Sequence, residues 1–199
     1  MKGFLSRAPN ALAAGAVLAG LGLVYWMAQG SSDDLGLASF LARFVHIGAA
    51  MVWVGMIWFV NFIQLVALKE ADAAGRNALL VHVVPKVTAL FSMASHVVVA
   101  SGGVLLLTTG YLFDRLVFPS SVYIPSARGL MLWLGAAGGL AMWGLVHGVI
   151  RPNLKTILDE GAAPASIGAA RERVMLAARV NLVLAVPVTF AMVAAAHLY

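Results

Sequence analysis

Residues Phe40 to Gln64 read FLARFVHIGAAMVWVGMIWFVNFIQ. Arg43 is the only charged side chain in the stretch. About 20 apolar residues in an α-helix are enough to cross the ~30 Å hydrocarbon core of a bilayer. With His46 at zero on a helical wheel, Arg43 and Asn61 fall about 60° to one side and Ala50 about 40°. Trp53 lies about 20° to the other side and Gln64 almost directly below. The helix is therefore polar along one face from end to end. Lipid satisfies none of those groups, so the face is expected to look into a bundle of helices.

The rest of the chain has the same character. Of 199 residues, 62% are hydrophobic and 11% charged, against about 45–50% and about 25% in soluble domains. The mean hydropathy is +0.94. Five apolar stretches can be read, at about 10–28, 36–68, 85–111, 129–150 and 174–198. The expected fold is an all-α integral membrane bundle of five transmembrane helices, with residues 1–199 forming a single transmembrane domain. A signal-peptide reading of the first stretch is weaker. Its apolar run from Ala11 to Met27 exceeds the usual length, and Tyr25 and Trp26 suit an interfacial anchor.

Alternating the connections across the membrane puts 10 Lys and Arg on the side of the N-terminus and 3 (Arg43, Arg115, Arg128) on the other. Positive loops stay inside, so the N-terminus is expected in the cytoplasm and the C-terminus outside. In the connection from Arg151 to Arg173, Leu154, Ile157 and Leu158 follow helical spacing behind Pro152. A short amphipathic helix on the membrane surface is expected there. The net charge of +5 is absorbed by these loops, which leaves no call for nucleic acid. In the fourth span, the pairs Gly135/Gly139 and Gly144/Gly148 point to close packing on both sides.

With no cysteine in the chain, disulfides, thiolate metal sites, iron–sulfur clusters and covalent c-type haem are excluded. No HExxH, GxSxG or P-loop is present, and the acidic residues lie in loops. That leaves the histidines, since ionisable groups inside a span are expensive and are functional candidates by default. An imidazole with a guanidinium one turn away suits haem b, with His46 on the iron and Arg43 on a propionate. Simple hydrogen bonding of both groups to neighbouring helices is the equal alternative. His96, mid-span, is the leading candidate for a second axial and metal ligand, and His197, near the end of the last span, is the other. Trp53 lies on the same face as His46. For His147, near Arg151, an interfacial position is favoured over a second haem or a quinone pocket. His82 lies in a connection and is given no role.

The stretch quoted above resembles the membrane domain of the bacterial urate hydroxylase (urate oxidase N-terminal) family. Its pattern of an Arg, two residues, a His, a Trp-x-Gly and an Asn-Phe-x-Gln ending is matched here by Arg43, His46, Trp53, Gly55, Asn61, Phe62 and Gln64. A second, looser block is formed by Gly139, Met142, Pro152, Asn181, Pro187 and His197. The resemblance implies a helical membrane fold and oxidation of a purine. Larger relatives carry a C-terminal cytochrome c domain, and no CxxCH occurs here, so a separate electron acceptor is implied. The third span departs from the pattern, with LFSMASHVVVASGG where the family has a Trp-rich helix. A fainter similarity runs to HemJ-type protoporphyrinogen oxidases and to copper-resistance membrane proteins.

Three functions follow as expectations. The first is a membrane haem b protein passing electrons between a partner dehydrogenase or cytochrome and the quinone pool. The second is a urate hydroxylase-like or porphyrinogen-oxidising membrane enzyme. The third is a transporter or a structural subunit of a membrane complex.

Overall fold

The computed structural model describes residues 3, 6–30, 34–109, 127–159 and 161–198. Residues 110 and 111 of the expected third span, and Lys2 and Arg115 of the charge tally, lie outside them. Five helices are long and apolar enough to cross a membrane: α1 (Ala8–Ala28), α2 (Gly36–Glu70), α3 (Ala73–Thr108), α4 (Ala127–Leu158) and α5 (Pro164–His197). Among the described residues there is no strand. Helices α1 and α5 each carry a proline in their first two positions, where the missing N–H has no helical partner to lose.

Three helices run past their expected ends. Helix α3 begins at Ala73 rather than Pro85, α4 continues to Leu158 rather than Ile150, and α5 begins at Pro164 rather than Val174. Pro85 and Pro152 look like boundaries in the sequence, yet each lies within a continuous helix, just after a π-helical turn. These turns are Leu79–Val83 and Val146–Ile150. A proline lacks the N–H and crowds the carbonyl four residues back, and widening the preceding turn relieves both problems. A third π-helical turn, Val60–Gln64, contains no proline. There the Asn61 side chain donates through Nδ2 to the Ile57 carbonyl at 2.9 Å and so enters the backbone ladder itself.

The expected surface helix behind Pro152 is helical but does not lie apart. It continues α4, and its half-buried Leu154 and Ile157 pack with Ile150 against Val174 and Ala177 of α5. Burial against a neighbouring helix leaves this apolar edge little to gain from the headgroup region.

The chain forms two compact units, residues 1–40 and 41–199. In the first, α1 buries none of its residues, and Trp26 stacks on Phe40 with ring centroids 5.8 Å apart. In the second, one apolar core draws on four helices: Trp53 and Ile57 from α2, Phe91 and Val98 from α3, Met142 and Val146 from α4, and Ala185 from α5. Large apolar side chains such as Val183 and Phe190 face outward, as a lipid-exposed surface requires.

Helices α4 and α5 make the most extensive pairing. Their close approach falls at Gly138, where a Cβ would overlap the Val188 side chain, and at Gly135, where it would meet the Met192 sulfur at 2.9 Å. Gly139, Gly144 and Gly148 have open space beside them, so α4 packs tightly along one glycine edge and not along the two GxxxG faces. The edge is set by i, i+3 spacing, which a search for i, i+4 pairs passes over.

Candidate functional site

The polar face of α2 is buried in its C-terminal half. Trp53, Asn61 and Gln64 are all buried, and His46 is half-buried. Arg43 is exposed, and the buried residue at that end of the stripe is Ala42. A position 60° from the centre of a helical face lies at its margin, where a long guanidinium side chain turns outward at little cost. Trp53 stands edge-on to Phe91 with centroids 6.4 Å apart, in the core rather than beside His46.

His46 meets α3. Its Nδ1–H donates to the Val98 carbonyl at 2.9 Å, with the Ser101 Oγ at 3.3 Å from the same nitrogen. Because a carbonyl only accepts, the neutral ring carries its proton on Nδ1 and keeps a lone pair on Nε2. Gly102 makes this approach possible: a Cβ there would stand 3.0 Å from His46 Cε1 and 3.3 Å from Nδ1.

His96 lies elsewhere on the same helix. At 100° per residue, Val98, Ser101 and Gly102 sit roughly 140° to 240° around α3 from His96, so the two imidazoles occupy opposite sides of the helix. The structure brings His96 together with His147 of α4 instead, with ring centroids 4.2 Å apart. Trp143, one turn before His147, stands 4.9 Å from the His147 ring and 5.9 Å from that of His96. Rings 4.2 Å apart are in contact, and no macrocycle fits between them.

Two of the hydrogen bonds of this second cluster converge on one carbonyl oxygen. His96 Nδ1–H donates to the Ser92 carbonyl at 2.7 Å, and the Ser95 hydroxyl donates to the same oxygen at 2.8 Å. With its proton so engaged, Ser95 Oγ accepts from His147 Nε2–H at 3.0 Å. The lone pairs of His96 Nε2 and His147 Nδ1 are left over. Spacing in the sequence carries a signal for this cluster, since Ser92, Ser95 and His96 share one face of α3 and Trp143 and His147 are four apart on α4. Their meeting depends on how the helices are rotated, which the sequence leaves open.

His197 ends α5 and is exposed, apart from both clusters' hydrogen bonds and ring contacts. Among the described residues, no three of His, Asp and Glu converge on a possible metal position. The chain was also compared with known proteins, and no protein-family model, no curated protein and no solved structure matches it.

Proposed function

We propose that this protein is a bacterial inner-membrane oxidoreductase that holds haem b through His46. The hydrogen bond from His46 Nδ1 to the Val98 carbonyl carries the reading. Histidines that ligate metals donate their other ring N–H in this way, which fixes the tautomer and aims the lone pair of Nε2 at the metal. Haem would supply redox chemistry at its iron when bound, and the Val98 carbonyl and Ser101 would hold and orient the His46 ring. Arg43, one turn from His46 and exposed, has the reach to meet a propionate.

His96 meets His147 on the other side of α3 and would not share a haem with His46, which favours a membrane enzyme over an electron carrier held by these two histidines. A purine of the urate type is the substrate implied by the resemblance of Arg43 to Gln64. Electrons would leave through a redox partner protein or the quinone pool. Detergent-purified protein should show a Soret band, and the reduced form should bind carbon monoxide with a shift of that band. A reduced spectrum insensitive to carbon monoxide would mean two protein ligands and restore the electron-carrier reading. Colourless protein would end the haem reading altogether.

A second reading is a proton path through the membrane, favoured by the His147–Ser95 hydrogen bond and by the His96 ring 4.2 Å from that of His147. It needs no cofactor, and it becomes the leading reading if the protein is colourless.

In the proposed orientation the N-terminus lies in the cytoplasm and the C-terminus outside, on the strength of the 10 to 3 distribution of Lys and Arg. Ser166 and Ala196, exposed near opposite ends of α5, test it. Single cysteines placed there in intact spheroplasts should label with a membrane-impermeant maleimide at 196 and not at 166. The reverse pattern would invert the protein.

A further inference from the structure

A cavity of about 650 Å³ opens among α2, α3, α4 and α5, at the end of the bundle where the α2–α3 and α4–α5 connections lie. The size is that of an ordinary small-molecule site. Its walls are mainly apolar, from residues such as Phe91, Ile150, Leu154 and Val174. The unpaired carboxamide oxygens of Asn61, Gln64 and Asn181 are sealed within the wall by their own burial and offer a ligand nothing. Val66 of α2 and Met175 of α5 line the cavity while remaining 39% and 48% exposed, so it also opens sideways, between these helices, onto the lipid-facing surface.

The charge on its rim is largely of one sign. Lys69 at the end of α2, Arg76 at the start of α3, and Arg171 and Arg179 of α5 set four cations against the single carboxylate of Glu70. Lys69, Arg171 and Arg179 are exposed, and among the described residues they have no hydrogen-bond or ion-pair partner. Arg76 is half-buried and held in place. Its Nε donates to the Leu68 carbonyl at 3.0 Å and its Nη2 to the Ala71 carbonyl at 3.2 Å, which leaves Nη1 available to a ligand. Arg179 stands apart from the others, as the only Lys, Arg, Asp or Glu of α5 after Arg173 and about two turns further into the apolar stretch than Arg171. A cation at such a position is costly unless it reaches the headgroup region or meets an anion.

An apolar cavity with a cationic rim selects a ligand with an anionic head and an apolar tail. A soluble anion would leave the walls uncovered, and a neutral lipid would leave the cations unpaired. We propose that this cavity binds one acidic phospholipid, with an acyl chain along the apolar walls and the headgroup phosphate drawn to the cationic rim. Basic pockets between transmembrane helices recur as sites for acidic headgroups. The guanidinium groups of Arg76, Arg171 and Arg179 suit the task, because their planar fork of donors matches phosphate oxygens. The side opening between Val66 and Met175 gives the chain its way in from the bilayer. This site is separate from His46 and does not depend on haem.

The test uses full-length protein in a nonionic detergent, with bound lipid counted by native mass spectrometry. Dioleoylphosphatidylglycerol should saturate at one tightly held molecule per chain. Its affinity should exceed that of dioleoylphosphatidylcholine or dioleoylglycerol by about tenfold or more, since each cation near the headgroup is worth about a factor of five. Glycerol phosphate, the head without the tails, should not displace it at about a hundredfold excess. Arg171→Gln and Arg179→Gln should each weaken dioleoylphosphatidylglycerol binding about fivefold while leaving dioleoylglycerol unchanged. Lys86→Gln and Lys155→Gln, exposed at the same end of the bundle but outside the cavity lining, should change it by less than about twofold. Equal affinity for phosphatidylglycerol and phosphatidylcholine in the unaltered protein would overturn the proposal, whether or not the variants fold. Displacement by glycerol phosphate would also overturn it, and would make the rim a site for a soluble anion. Equal weakening by the Lys86 and Lys155 variants would overturn it as well, and would reduce the preference to general surface charge.

Discussion

Protein carrying His46→Ala is expected to purify without a Soret band, with the ratio of haem to protein at least tenfold below that of the unaltered chain. The fold should survive. The substitution removes an interhelical hydrogen bond worth on average about 0.6 kcal/mol in a membrane protein, together with part of a half-buried ring. Loss of colour with unchanged thermal unfolding would then report the ligand and not the scaffold. Adding millimolar imidazole to His46→Gly should restore the band. Gly102→Ala gives a graded version of the experiment: the new methyl meets the His46 ring at 3.0 Å, so the ring must shift by a few tenths of an ångström. Haem should be retained there with an altered spectrum. His96→Ala should leave the spectrum unchanged, since His96 faces His147 from the other side of α3. A normal spectrum in His46→Ala would rule out the assignment and leave hydrogen bonding between α2 and α3 as the role of the residue.

The second large effect concerns stability. Asn61→Leu keeps the branching of the side chain but deletes both donated bonds, leaving the Ala178 carbonyl of α5 without its Asn61 donor and removing the brace on the π-helical turn. A loss of about 1–2 kcal/mol follows from two bonds at about 0.6 kcal/mol each in a membrane protein, together with the buried carbonyl left short of a donor. For a chain of this size, that lowers the unfolding midpoint by roughly 3–6 °C. Gln64→Leu, in the same turn, is the control. Its Oε1 has no partner to lose, so its unfolding midpoint should stay within about 2 °C. Equal destabilisation by the two substitutions would show that desolvation of the cavity wall matters more than the Asn61 bridge.

The two π-helical turns at prolines show where local reading stops. Pro85 and Pro152 carry a strong local signal for a helix boundary, and the sequence expectation ends spans near both. In the folded bundle the helices continue through them, because a widened turn just before each proline accommodates its ring and missing N–H. The glycines of α4 give the same lesson. Small residues at close spacing mark a helix that packs tightly, but only the position of Val188 and Met192 selects Gly135 and Gly138 as the tight edge.

The amino-acid sequence by itself determines that this is an all-helical chain with five segments able to cross a membrane, and that Asn61, Gln64 and Trp53 turn inward from α2. Both follow from local quantities: the apolar content of about 20 successive residues, and the 100° step that places side chains on one face. Which histidines meet was decided only by the tertiary structure. His46 goes to Val98 and Ser101, and His96 goes to His147. Whether two imidazoles meet depends on the rotation of each helix about its own axis and on its depth against its neighbours. Those are fixed by contacts such as Gly138 on Val188 and Trp53 on Phe91, between residues far apart in the chain, whose partners no local pattern specifies.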